Sequence, residues 1–216
     1  MKYKALKLFG EDILNEARLF SNLCLEGKRW GGNPILIVLD ACLDSSGLNY
    51  FTVVVPKVRY FREKYIISRK IKSCTEFEKI KKEELLKIFK NERVWNAMKS
   101  ICSFLSENDK SLEFKKLKKW AENANPKEIK NDPIGKIKGV GLNTFQYLRI
   151  QCGIDTIMPD KIIIKWIKKH FKDIGSPYDA IEEGKRIAKS LDINCIELCW
   201  AIWIKESKEL NRIKIE

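Results

Sequence analysis

Histidine is almost missing from this chain: among 216 residues only His170 is one. A zinc site would lack its usual nitrogen ligands, so no metal is expected. Long apolar runs are missing too. The run at residues 34 to 39 ends at Asp40, far short of the roughly 20 residues that a membrane-spanning helix needs. No membrane association is expected. The opening Met1-Lys2-Tyr3-Lys4-Ala5 runs into charged, amphipathic sequence, which argues against a signal peptide. Cysteine is present but unpaired in pattern. The seven, at 24, 42, 74, 102, 152, 195 and 199, are odd in number and scattered. They read as buried thiols of a reducing cytoplasm, not as a disulfide framework. Internal repeats, low-complexity linkers and a series of strands are all absent. Acids are in deficit, with 29 against 42 basic residues, giving a net charge of +13. That balance points to a polyanionic partner, although Lys- and Ile-rich usage throughout, as in Ile162-Ile163-Ile164-Lys165, accounts for part of it.

What is present is helical periodicity. Ile13, Leu14, Ala17, Phe20, Leu23 and Cys24 mark an N-terminal helical extension over residues 1–30, followed by a turn with two glycines. A buried helix is expected from Pro34 to Ser46-Gly47. Residues 50 to 58 include Phe-Thr-Val-Val-Val-Pro, which has strand propensity. A lone strand would have no partner, so the stretch is assigned to helix, bent or interrupted at Pro56. Residues 57 to 73 are basic, with Lys57, Arg59, Arg62, Lys64, Arg69, Lys70 and Lys72. Further helices are expected at 83–89, 93–106, 111–121, 161–171 and 177–191. A capping-box-like Asn194 and Glu197 should open the last one. Residues 110 to 138 hold nine lysines against four acids. They either solvate a surface or form a strip facing a polyanion. The fold class is all-α.

The organising stretch is residues 133 to 160, with a helix-turn-helix hairpin at 133–153. Asp132-Pro133 reads as an N-cap and first helical residue, and Ile134 and Ile137 mark a short helix ending at Gly139. Gly139-Val140-Gly141 is a tight turn, Phe145 and Leu148 belong to a second helix, and Gly153 is placed as its C-terminal cap. Such a turn leaves backbone N–H groups pointing outward at the second helix's start, an anion site suited to one phosphate. Any sharp helix–helix corner also uses Gly-x-Gly.

The segment Ile137-Lys138-Gly139-Val140-Gly141, with Thr144 and then Met158-Pro159-Asp160, resembles the helix-hairpin-helix superfamily of DNA glycosylases. The likeness extends more weakly over residues 31–205 as a two-lobed pattern of helices, leaving 206–216 as a tail. It implies binding of double-stranded DNA, as a monomer associated with the nucleoid, through Lys138, Gly139, Val140, Gly141, Leu142, Asn143 and Thr144. It also implies a catalytic aspartate, here Asp160, nineteen residues past Gly141. A fixed carboxylate there opposes the positive charge that develops on the sugar as an extruded base departs. Asp160 also suits a plain helix cap, and the two roles are compatible. The family's usual Pro-hydrophobic-Asp is Met-Pro-Asp in this chain. Bifunctional branches carry a Schiff-base lysine where Asn143 stands, so a monofunctional enzyme is implied. Ser45 and Ser46 occupy the place of the loop that fills the gap left by the base, without the usual glutamine. Trp30, Tyr50, Trp200 and Trp203 are stacking candidates, with Trp200 and Trp203 favoured for the core. Some branches hold an iron–sulfur cluster on four cysteines. Only Cys195 and Cys199 are close here, so no cofactor is expected. The alternatives are a DNA-binding protein without catalysis and a protein-interaction module that keeps the helical fold.

Overall fold

Every regular element among the described residues is helical. The computed structural model describes residues 2–171 and 173–208, with side chains from Lys4 onward, so most of the expected C-terminal tail lies outside the described residues. In chain order the α-helices are α1 (Lys2–Phe9), α2 (Glu11–Leu25), α3 (Pro34–Asp44), α4 (Val55–Phe61), α5 (Cys74–Glu78) and α6 (Lys82–Ile88). They continue with α7 (Glu92–Leu105), α8 (Ser111–Asn123), α9 (Leu142–Gln151), α10 (Lys161–His170), α11 (Pro177–Leu191) and α12 (Cys195–Ser207). The chain forms two compact units, residues 1–29 with 149–216, and residues 30–148, so the division falls within α9.

Local signals account for several helix starts. Asn33 accepts from Ile35 and Leu36 N–H at 3.0 and 3.2 Å, with Pro34 as first helical residue. Ser73, Asn91 and Ser176 cap α5, α7 and α11 in the same way, each pairing an otherwise orphaned N–H. α3 stops at Asp44, short of the expected Ser46-Gly47, and the Ser45 hydroxyl donates back to the Cys42 carbonyl at 2.7 Å. Residues 50–67 are helical, with a π turn at Tyr50–Val54, then α4, then a second π turn at Arg62–Ile67. Pro56 has no N–H to give, and its ring crowds the carbonyl four residues back. The first π turn precedes it, with the Val55 N–H reaching the Tyr50 carbonyl.

In the unit of residues 1–29 and 149–216, α2 packs along α12. Phe20 stacks on Trp200 at 4.4 Å and Phe9 on Trp166 at 5.3 Å. Gly184 lets α11 press on Ile157, since a Cβ there would sit 2.7 Å from its Cγ1. The expected capping box at α12 is corrected. The Asn194 side chain makes no cap bond, and the Ile196 N–H donates to Asp155 Oδ1 at 3.0 Å. Glu197 instead accepts from Arg18 Nη2 at 3.1 Å, because its position faces α2 and not its own helix end.

In the unit of residues 30–148, α3 is buried from Ile35 through Leu43 and packs on α7. Phe61, Phe77 and Trp95 build the neighbouring aromatic core. Glu113 of α8 is buried and accepts from the Cys74 N–H with both oxygens, at 2.9 and 3.1 Å, closing the start of α5. Burial holds its carboxyl above the ordinary range despite that donor.

Candidate functional site

Asp160 precedes a helix whose inner face is Ile163, Trp166 and Ile167. Its backbone is extended, and its Oδ1 accepts from the Ile163 N–H at 2.7 Å, so it is the N-cap of α10. Oδ2 accepts from Trp203 Nε1 at 2.8 Å. Burial raises its pKa above the ordinary 3.8, and the Ile163, Trp203 and Ile162 donors pull against that rise. The result is a half-buried carboxylate held at both oxygens. Trp203, expected in the core, is buried and meets Trp200 edge-on at 5.1 Å, while its indole N–H positions the acid. Nothing in the spacing of Asp160 and Trp203 marks them as partners, because the contact joins residues 43 apart.

The glycine turn differs from expectation in its first half. Residues 133–138 form single turns and no helix. Asp132 does act as the expected cap, its Oδ1 accepting from Ile134 and Gly135 N–H at 2.8 Å each. Its carboxylate also takes the Trp120 indole N–H at 3.0 Å. Propagation then fails across Gly135, a residue type among the poorest helix formers. Gly135 instead lies against residue 129, where a Cβ would stand 2.2 Å from the Ile129 carbonyl oxygen.

Gly139 has φ +104° and sits over α7, with Ala97 Cβ and Arg93 Cγ at 3.3 and 3.4 Å from where its own Cβ would be. Gly141 has ordinary φ and open space. Only the first glycine is therefore required by geometry. Lys138 and Gly141 are exposed, and Val140, Leu142 and Asn143 half-buried. Thr144 is 3% exposed, so its hydroxyl does not face solvent. α9 starts at Leu142, and the Phe145 N–H is bonded to the Gly141 carbonyl at 2.9 Å. The first-turn N–H groups have no acceptor within the helix. At the far end Gly153, at φ +92°, caps the helix as expected, and the Ile154 N–H returns to the Arg149 carbonyl at 3.0 Å. A groove of about 370 Å³ lies beside the start of the turn, between Phe104, Lys116, Lys119, Trp120 and Asn123 and the Asp132-Pro133 corner.

Ser45 is exposed and Ser46 half-buried just past α3. Within the same unit Trp30 and Tyr50 meet at a residue that sequence reasoning missed. Asp40 is 0% exposed. Its Oδ2 accepts from Trp30 Nε1 at 2.6 Å, Tyr50 OH at 3.1 Å and Tyr147 OH at 3.3 Å, and the two tyrosine hydroxyls are 2.8 Å apart. Trp30 is held there at φ +52°, a region bulky residues seldom adopt. The available signal was an acid on the apolar face of a helix, which must be paired when buried. Among the described residues, no group of three or more His, Cys, Asp or Glu side chains is gathered to hold a metal ion. No described helix is long and apolar enough to cross a membrane.

No family model, curated protein or solved structure matches the chain.

Proposed function

We propose that this chain binds double-stranded DNA and is a monofunctional DNA N-glycosylase of the base-excision type, with Asp160 as its catalytic carboxylate. The observation that carries the reading is the state of Asp160. It caps α10 as the glycosylase resemblance requires, and it is fixed by Ile163 N–H and Trp203 Nε1. With the Ile163, Trp203 and Ile162 donors engaged, about one of the carboxylate's four lone-pair sites remains open. A fixed, half-buried anion acts on a developing oxocarbenium charge without having to reorganise. Water supplies the new bond to the sugar carbon as the base leaves with the electron pair of the broken bond. Binding is supported by the +13 charge and by the Gly139 turn at the start of α9.

Two experiments test the reading. A screen of duplexes carrying uracil, 8-oxoguanine, alkylated bases and mismatches should find one from which a base is released. Borohydride should trap no covalent adduct on that substrate, because Asn143 stands where a Schiff-base lysine would attack. Efficient trapping would show that a lysine elsewhere has taken the role.

A second reading, DNA binding without catalysis, is favoured by one observation: both oxygens of Asp160 are already engaged, as a purely structural cap would have them. Base release separates the two.

A further inference from the structure

The basic stretch after α4 has a surface that the glycosylase reading does not use. Tyr60, at the end of α4, is 54% exposed, and Ile67 at the end of the second π turn is 53% exposed. Lys64, within that π turn, holds its Nζ 5.6 Å from the Tyr60 ring centroid and 5.3 Å from that of Tyr65. Tyr65 itself is buried, its hydroxyl directed to Glu84 at 3.4 Å. Tyr60 is thus an aromatic face standing in solvent beside a cation. The π turn that follows it is a form that concentrates at functional positions.

The chain leaves this helix through Arg69, Lys70 and Lys72, all exposed, none in an ion pair among the described residues. Arg69 has φ +58°, a left-handed conformation that glycine adopts more readily than residues with a Cβ. A cation is kept where glycine would fit better. The nearest acids in sequence are Glu63 and Glu76, and Glu76 already accepts from the Lys72 N–H.

The geometry points to a binding surface for single-stranded nucleic acid over residues 60–72, with one base stacked on Tyr60 and successive phosphates on Lys64, Arg69, Lys70 and Lys72. An exposed ring beside one cation and followed along the chain by three more exposed ones has the form of a stacking platform with a phosphate track. A duplex hides its base faces and would leave Tyr60 idle. An anionic membrane would use the cations and Ile67 but has no base to stack.

The test is fluorescence anisotropy of the full chain with a labelled, undamaged oligothymidylate, an undamaged duplex of equal length and phosphatidylserine vesicles. Tyr60→Ala should weaken single-strand binding about tenfold, Tyr60→Phe should retain it, and neither should alter duplex affinity. Arg69→Gly should weaken binding while melting no lower than the parent, which separates the loss from misfolding. Removing the charges of Arg69, Lys70 and Lys72 together should reduce the salt slope by about two. Asp160→Asn should bind the oligothymidylate as the parent does, so failure of the glycosylase reading leaves this result intact. The inference is overturned if Tyr60→Ala binds unchanged, if duplex binding falls by the same factor, or if vesicles are bound in preference to the oligonucleotide.

Discussion

Asp40 collects an indole N–H and two phenolic hydroxyls on one oxygen at the centre of an apolar helix. Asp40→Ala removes the acceptor of the Trp30 and Tyr50 donors, while Tyr147 keeps the Tyr50 hydroxyl, and each lost buried partner costs about 1–3 kcal/mol. The variant should lose about 3 kcal/mol or more of unfolding free energy, while Asp40→Asn, which keeps an acceptor, should lose less. Urea titrations of the two check this; equal stability of Asp40→Ala and the parent would show that the cluster contributes nothing. In the sequence Asp40 reads only as the end of an apolar run, because its three partners lie 10 residues before, 10 after and 107 after it. Asp160 was legible as a cap, since a cap is local. Its Trp203 partner was not. Its raised pKa has a signed consequence. The folded state holds the proton more tightly than the unfolded one, so the stability Asp160 contributes is present below pH 3.8 and is lost as pH rises through the folded pKa. Asp160→Asn should lack that decline, so thermal melts from acid to neutral pH should show the variant gaining on the parent. A constant difference across the range would place Asp160 at its ordinary pKa.

Helices with long amphipathic periods, such as α7, α10 and α11, were legible within a few residues, because burial on one face dictates both pattern and fold. The short first half of the glycine turn was not, since its cap and stop signals are those of a helix while Gly135 between them packs against Ile129 and turns the chain. The π turns around Pro56 leave no separate trace in composition. For the turn itself the two glycines are unequal. Gly139→Ala must adopt a φ that side chains avoid and push against Ala97, a strain of about 2 kcal/mol. Gly141→Ala meets open space and should change stability by no more than about 0.5 kcal/mol. If the turn presents α9's first N–H groups to a phosphate, Gly139→Ala should also weaken duplex binding. Equal stabilities for the two variants would contradict the conformation assigned to Gly139.

At the scale of the whole molecule, all seven cysteines are buried, and none is in a disulfide. Burial pushes the Cys42 and Cys195 thiols up to about 12 and also raises Cys102 and Cys199. Thiolates are the reactive form, so a native thiol titration near neutral pH should be slow at every cysteine and reach all seven only on unfolding. Rapid labelling of any one would show a local opening that its burial does not suggest. The net charge of +13 concerns partners, not the fold, and duplex binding should weaken steeply with added salt. The central claim concerns Asp160 and rests on one substitution. Asp160→Asn keeps the side-chain size and an acceptor for the Ile163 N–H, and it removes the charge. On a lesion duplex from which the parent releases a base, single-turnover base release should fall by about a hundredfold or more, with duplex affinity unchanged. Base release at the parental rate by a folded Asp160→Asn variant would contradict the account and leave Asp160 as a helix cap.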